Sequence, residues 1–267
     1  LDVLWQTGVT FHHQKALKLF EKNGCKVDYE EERVHFPPGL VEECLRKAPS
    51  SFRFKARDPK NDLIYGGNTV YFGNMPGMQT VDLETWEPRA ATRKENYDGV
   101  TVLDALDNCH FIDSYTPYFG FKDVPEVVKI PESCAAKIRN STLVQGTGYS
   151  NDCEVFCIQM SQVVGADLIG RCIAAPPLTY YSDAVEAAFR YIEAEFPVQV
   201  VAAGIMGATY PATTAGSIVI GNAECIAGIV LTQLVKPGHE NMVDSFTFPA
   251  NMRTGAPGFG QLGISLF

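Results

Sequence analysis

Aromatic and polar side chains recur just after the apolar runs of this 267-residue chain, and their types suit a small cation. Tyrosine and phenylalanine rings can hold a quaternary ammonium by cation–π attraction. Packing of the rings within their own loops is the alternative, and the sequence alone leaves both open. The candidate substrate-binding residues are Tyr115, Tyr118, Tyr149, Tyr181, Met206, Phe246 and Asn251.

The sequence offers no recognisable nucleophile or metal site, so we assign no catalytic residue and expect no metal. The five histidines, at 12, 13, 35, 110 and 239, have no metal-ligand spacing to a cysteine or carboxylate. Cys153 and Cys157 lie four residues apart, which favours two small buried side chains over a pair of ligands. Gly146-x-Gly148 lacks the third glycine of a dinucleotide-binding loop.

Glu224 stands alone in a long apolar run, residues 216–235. A lone buried carboxylate costs several kcal/mol unless it is paired, so we expect Glu224 to face inward and to have partners. Anchoring of the glycine-rich loop before its helix is the favoured role, and direct substrate contact is the alternative. We interpret the run as a buried packing helix and not a membrane span, because an acidic group at the bilayer centre is costly.

The candidate residues follow the strands of a repeating helix–strand unit that begins at Thr92. Thr92-x-x-Glu95 is a capping box, and it predicts a helix to Asn108 followed by a strand over 111–113. Four more units follow, with helices over 132–140, 152–164, 182–196 and 214–234 and strands over 143–146, 168–174, 198–203 and 242–245. This alternation predicts a parallel sheet, either closed as a barrel or open and doubly wound.

Residues 1–91 predict a separate N-terminal α+β cap, and residues 92–267 a partial barrel. Helices are expected over 11–23 and from Pro37 to Pro49. We expect hairpins that pair 63–65 with 70–72 and 79–82 with 86–89.

Composition excludes several classes of protein. The formal net charge is −9 and the pI is about 5.1, so nucleic acid and anionic membranes are poor partners. Eight scattered cysteines in a chain of this size indicate reduced thiols and a cytoplasmic protein.

Three segments resemble the trimethylamine methyltransferase (MttB) superfamily. They are residues 204–216 (GIMGATYPATTAG), 221–238 (GNAECIAGIVLTQLVKPG) and 251–255 (NMRTG). Val81-Asp82, Arg89-x-Ala-Thr92 and Pro177-Leu178 agree with it. The resemblance implies a (β/α)8 TIM-type barrel, here incomplete with about five units. It also implies that a methyl group moves from a methylamine or betaine to the cobalt of a separate corrinoid protein. Within these segments we expect Gly204, Gly207, Glu224 and Arg253 to support the site.

This chain departs from the family pattern in two respects. Family chains continue well beyond the NMRTG segment, and the pyrrolysine of the trimethylamine enzymes falls in a region that these residues do not cover, so its presence is undetermined. The sequence Thr-Tyr-Pro-Ala at 209–212 replaces the more usual Thr-x-Pro-Val. We expect the corrinoid to be carried by the partner protein and not bound directly by this chain.

A truncated, non-catalytic relative that binds a small cation or the corrinoid protein is the alternative to an enzyme. A barrel lyase would need a lysine at a strand end, and we expect none of the lysines after residue 100 to lie at one. Five strands cannot close a barrel, so we expect a homo-oligomer with residues 236–267 at the contact.

Overall fold

The computed structural model of the chain describes residues 1–74, 77, 79–113 and 124–258. They form two compact units: unit 1 is Leu1–Pro49 with Arg171–Phe267, and unit 2 is Ser50–Gly170. Residues 1–49 and 50–91 fall in different units. The predicted cap over 1–91 and the boundary before residue 92 stay predictions.

The elements alternate between helices and strands from residue 93 onward. The helices are α1 (Gln14–Lys22), α2 (Pro38–Lys47), α3 (Arg93–Asp104), α4 (Lys129–Asn140), α5 (Glu154–Val164), α6 (Ser182–Glu193) and α7 (Thr214–Val235). The strands are β1 (Val9–Phe11), β2 (Lys26–Asp28), β3 (Arg33–His35), β4 (Ser51–Phe54), β5 (Leu63–Gly66), β6 (Gln79–Val81), β7 (Pro88–Ala90), β8 (Phe111–Ile112), β9 (Val144–Gly146), β10 (Leu168–Ala174), β11 (Thr179–Tyr180), β12 (Val198–Met206) and β13 (Asn241–Pro249).

A four-stranded sheet in unit 1 joins segments that are far apart in the sequence. Its order is β11, β1, β3, β2, and β1 runs parallel to β11 with Phe11 beside Tyr180. The two rings stack at 4.8 Å, and Phe20 packs on Phe11 at the same distance. Because these rings are fully buried, they form the core beneath the sheet.

Parallel strands form the second part of unit 1. Strands β12 and β13 pair in parallel over nine positions, from Val198 opposite Asn241 to Met206 opposite Pro249. Helix α7 packs on both strands and on α1, α2 and α6. It is long and apolar enough to cross a membrane by composition, yet most of it is buried inside unit 1, as is typical of a core helix. The prediction of a packing helix is confirmed, and the cytoplasmic location stays a prediction.

Unit 2 contains two hairpins followed by helix–strand units. The pairing of β6 with β7 confirms one predicted hairpin. The other was wrong, because β5 pairs with β4 and not with residues 70–72. Ring packing explains why β5 pairs with β4, since the rings of Phe52 and Phe54 pack on Tyr65 with centroids 5.4 and 6.2 Å away. The capping box of α3 is present, with Thr92 and Glu95 bonded reciprocally.

Strands β8, β9 and the beginning of β10 run parallel to one another in unit 2. All five predicted strands after residue 92 are therefore present, each preceded by its helix. The chain is an α/β protein with parallel strands, and this is compatible with a partial TIM-type fold.

Candidate functional site

The loop after β12 is built around Gly204 and Tyr210. A side chain at Gly204 would overlap the Tyr210 ring, so the glycine makes room for that ring against the strand. The Tyr210 amide donates to the Ile205 carbonyl at 3.0 Å, and the Gly207 amide donates to the Tyr210 carbonyl at 3.1 Å. Gly207 has a φ of 83°, which favours glycine. The turn therefore brings Tyr210 back beside β12.

Glu224 is fully buried in α7 and connects two loops. One carboxylate oxygen accepts the Leu178 amide at 2.6 Å, and the other accepts the Tyr210 hydroxyl. Leu178 follows the cis Pro176–Pro177 bond in the loop after β10, and it has a φ of 50°. The expectation that Glu224 is buried and partnered is confirmed. We call Glu224, Tyr210 and Leu178 the Glu224 cluster.

The electrostatics of the Glu224 cluster are dominated by burial. Burial raises the pKa of Glu224, and the hydrogen bonds from Tyr210 and Leu178 only partly oppose that rise. Burial also raises the pKa of Tyr210, and its hydrogen bond to Glu224 adds to the effect. Tyr210 therefore acts as a proton-bearing donor that fixes the carboxyl group.

The aromatic residues of β13 lie on the other face of the sheet. A Cβ at Gly221 of α7 would lie 3.1 Å from the Ser245 hydroxyl, so Ser245 faces α7. Side chains alternate along a strand, and Phe246 and Phe248 therefore point away from α7. Their ring centroids lie 5.5 Å apart at 58°, and Phe246 is 36% exposed. We call Phe246 and Phe248 the aromatic pair.

Polar side chains on the aromatic pair's face of the sheet connect three strands. Arg171 of β10 donates to Gln199 of β12 at 3.1 Å, and Gln199 donates to Asp244 of β13 at 3.2 Å. Asp244 stands two residues before Phe246 and so shares its face. A cation on the aromatic pair would therefore have a carboxylate two residues away along the strand.

The remaining predicted residues of unit 1 have local roles. Tyr181 is the residue before α6, is 55% exposed and stacks on His12 at 5.3 Å, whereas Phe246 packs on Phe248. Met206 is buried at the end of β12. The side-chain oxygen of Asn251 accepts the Arg253 amide at 3.1 Å and so shapes the following turn.

Unit 2 has its own polar cluster at the end of β9. Lys137 of α4 is 2% exposed, and its ammonium donates to the carbonyls of Gly146, the last residue of β9, and of Asp113 at 3.3 Å. A lysine therefore does lie at a strand end, and the expectation that none does was wrong. The sequence does not indicate this contact, because Lys137 lies within a helix and reaches the strand end only through its long side chain.

Cysteines surround Lys137. Cys134 lies three residues earlier on α4, and the pKa of its thiol is coupled to that of Cys157 on α5. These two and Cys153 are buried, which confirms the interpretation of Cys153 and Cys157, whereas no spacing in the sequence pointed to Cys134. In the described part of the chain, no group of three or more His, Cys, Asp or Glu side chains could hold a metal ion. We call Lys137, Cys134 and Cys157 the Lys137 cluster.

Three predicted tyrosines lie outside unit 1. Tyr149 follows β9 in unit 2 and is half-buried. Tyr115 and Tyr118 fall outside the described residues. The expectation that these tyrosines and Phe246 bind a small cation therefore stays a prediction.

The glycine-rich loop after β12 and the buried carboxylate of Glu224 stand in the segments whose sequence resembles the methyltransferases. The sequence model of the family described as trimethylamine methyltransferase (MTTB) matches residues 1–265. The chain belongs to this family.

Curated relatives agree with that assignment. The chain is 29% identical over 277 residues to trimethylamine methyltransferase MttB of Desulfitobacterium hafniense (strain DSM 10664 / DCB-2), covering 99% of this chain and 55% of the relative. It is 28% identical over 279 residues to the glycine betaine methyltransferase of strain Y51 of that species, covering 100% and 57%. It is 25% identical over 282 residues to the proline betaine:corrinoid methyltransferase of Eubacterium limosum, covering 97% and 56%. The chain thus spans about half the length of these relatives.

Proposed function

We propose that the chain acts in methyl transfer from a quaternary or tertiary amine, such as trimethylamine or a betaine, to the cobalt of a corrinoid protein. The family match over residues 1–265 carries this proposal. The names of the relatives supply the donor class, and the name of the Eubacterium limosum relative supplies the corrinoid. In this reaction the corrinoid is the methyl acceptor, a substrate carried on a separate protein.

For a quaternary amine the chemistry asks this chain for position and charge and not for a proton, whereas a tertiary amine must carry a proton on its nitrogen to leave as a neutral amine. When a quaternary amine gives up a methyl group, the carbon–nitrogen bond breaks and the electron pair stays on nitrogen, so a neutral tertiary amine leaves. The acceptor supplies the electron pair of the new bond to carbon. Orientation of donor and acceptor is then the main contribution of the protein.

We assign the cation to the aromatic pair. Phe246 offers a partly exposed ring within β13, and Asp244 stands on the same face. In the register of the two strands Phe246 lies beside Ala203, whose small side chain leaves the ring accessible. The Glu224 cluster lies on the α7 side of these strands. Glu224 is therefore assigned a positioning role, in which it fixes the loops after β10 and β12.

Binding of tetramethylammonium and glycine betaine, followed by NMR, tests the aromatic pair. Phe246→Ala should weaken binding about 2- to 30-fold, because a cation–π contact contributes about 0.5 to 2 kcal/mol. Val243→Ala is the matched control, since Val243 lies on the same strand and points to the other face. Equal weakening by both variants would contradict the assignment.

Turnover tests the proposed reaction. The full chain is incubated with trimethylamine, glycine betaine or proline betaine and with reduced cobalamin or a corrinoid protein as acceptor. We expect the demethylated amine to appear by NMR for at least one donor. No product from any donor, with a chain that is folded by circular dichroism, would overturn the proposal.

A further inference from the structure

Helix α5 presents an uncharged face at the surface of unit 2. Its exposed residues are Phe156, Gln159, Gln162 and Val163, and the one charged residue of the helix, Glu154, is buried. Phe156 is 58% exposed and Val163 is 86% exposed. Surface helices ordinarily carry charges on their outer face, as α1 and α6 of this chain do. The outer face of α5 instead has the composition of the centre of a protein interface, which is poor in charges.

A groove of about 630 Å³ runs between α5 and α4, which pack against each other in unit 2. Apolar residues at spacings of three and four line both of its sides, and they include Pro131, Ala135 and Ile138 of α4 and Phe156, Met160 and Val163 of α5. Each set spans about two helical turns. The groove therefore has the shape and chemistry that the apolar face of another helix fits.

The charges beside the groove differ between its two ends. Helices α4 and α5 each precede a strand of the same parallel pair, so they run in the same direction. Glu126, which is 85% exposed although it pairs with Lys129, and the exposed Asp152 lie just before the amino ends of the two helices. Arg139 lines the other end, is exposed and has no ion-pair partner among the described residues. The groove is therefore acidic at one end and basic at the other.

We propose that this groove is a contact between two copies of the chain, in which α5 of each copy lies in the groove of the other. The same face carries both the ridge and the groove that receives it, as an isologous contact requires. A two-fold axis across the helices reverses their direction in the second copy, so Arg139 of each copy faces the partner's Glu126. A parallel arrangement would instead set like charges against each other. This contact is independent of the proposed methyl transfer.

Sedimentation velocity of the full chain tests the contact. We expect a dimer, or a larger assembly that contains it, at micromolar concentration. Val163→Glu places a carboxylate on each ridge, where the contact would bury it without a partner, so the dissociation constant should rise about 100-fold or more. Because Val163 is 86% exposed, the variant should keep its fold by circular dichroism. A wild-type chain that stays monomeric at high micromolar concentration would overturn the proposal and leave the groove to a different protein.

Two exposed valines outside the groove provide matched controls. Val102 of α3, in the same unit, is 60% exposed, and Val243 of β13 is 46% exposed. Val102→Glu should associate as the wild type does. Val243→Glu separates the groove from the contact that the sequence led us to expect at residues 236–267. Association that Val163→Glu leaves unchanged, or that either control weakens equally, would show that the groove is not the contact.

Charge reversal tests the antiparallel arrangement. Arg139→Glu sets carboxylates against each other at both ends of the contact, and Glu126→Arg does the same with guanidinium groups. Each variant alone should associate about 5-fold or more weakly at low salt, because exposed ion pairs are replaced by repulsion. An equimolar mixture of the two should restore the assembly, since every position then faces an opposite charge. A mixture that associates no better than its components would overturn the arrangement.

Discussion

Units 1 and 2 each bury a charged side chain near the ends of parallel strands, but the charges and their partners differ. Glu224 accepts an amide and a hydroxyl from two loops. Lys137 donates to two backbone carbonyls at or just after strand ends. The carboxylate therefore connects loops, whereas the ammonium connects a helix to the ends of two strands.

This difference separates positioning from reactivity. In the Glu224 cluster both carboxylate oxygens are used, and the nearest titrating partner, Tyr210, keeps its proton. In the Lys137 cluster the interaction with Cys157, and after it the charge of the ammonium, lower the pKa of the Cys134 thiol. A buried charge thus has different consequences depending on whether its neighbours can ionise.

Removal of the Glu224 carboxylate should have the largest effect on stability. Glu224→Ala leaves the Leu178 amide and the Tyr210 hydroxyl buried without an acceptor. Each unsatisfied donor costs about 1 to 3 kcal/mol, so we expect a loss of about 2 to 6 kcal/mol in the free energy of unfolding. Urea unfolding followed by fluorescence measures it. The exposed Glu42→Ala is the control, and an equal loss there would refute a special role for Glu224.

The space around Tyr210 gives the next largest effect. A Cβ added by Gly204→Ala would overlap the Tyr210 ring, so the ring or the strand would have to move. Overpacking of this kind costs about 1 to 3 kcal/mol. Thermal unfolding should register the loss, while Gly39→Ala, where a Cβ meets nothing within 4 Å, should be neutral or stabilising. A neutral Gly204→Ala would show that the loop is loosely packed.

Removal of the buried ammonium should cost less than removal of the carboxylate. Lys137→Met leaves two backbone carbonyls without their hydrogen-bond donor, but it also removes the cost of burying a charge. We therefore expect a loss of about 1 to 2 kcal/mol in the free energy of unfolding. Lys94→Met, on the exposed surface of α3 in the same unit, is the control. If Lys137→Met destabilised the chain more than Glu224→Ala, the contrast between the units would be reversed.

A pH titration of stability tests the role of Glu224 further, and we expect its effect to be the smallest of the four. Because the folded-state pKa of Glu224 is raised above 4.5, its contribution to stability is present below that value and is lost as the pH rises through the folded pKa. Glu224→Gln should remove this dependence. The wild type should therefore lose stability relative to the variant as the pH rises from 4.5 to 8. A constant difference across that range would mean that Glu224 keeps an ordinary pKa.

Another buried group titrates in unit 1 and must be separated from Glu224. Burial lowers the pKa of His239 to about 4, so its contribution runs the other way and is lost as the pH falls. Both proteins in the comparison contain His239, and its effect cancels in their difference.

Local signals in the sequence predicted the helices and the five strands that follow them after residue 92, but they did not predict the pairings over long distances or the strands that depend on them. The capping box at Thr92 and Glu95 predicted the start of α3, because both partners lie within one turn. The pairing of β1 with β11 has no local signature. The hairpin of β4 and β5 was also missed, since its choice depends on ring packing between Phe52, Phe54 and Tyr65.

The candidate site shows the same limit. Glu224 was predictable, because a lone carboxylate in an apolar helix requires partners. Tyr210 as that partner was not, since only the turn around Gly207 brings it back to α7. Lys137 was missed because its ammonium acts at the end of β9, away from its own helical position.

The parallel pairing of β1 with β11 has a consequence for synthesis on the ribosome. Thr10 of β1 cannot pair with Thr179 of β11 until Thr179 is synthesised, 169 positions later. At about 5 to 20 residues per second the delay is about 8 to 34 s. All of unit 2 emerges in that interval, while Phe11 and Phe20 have no Tyr180 to cover them. The nascent chain therefore leaves these aromatic rings incompletely covered for seconds during translation.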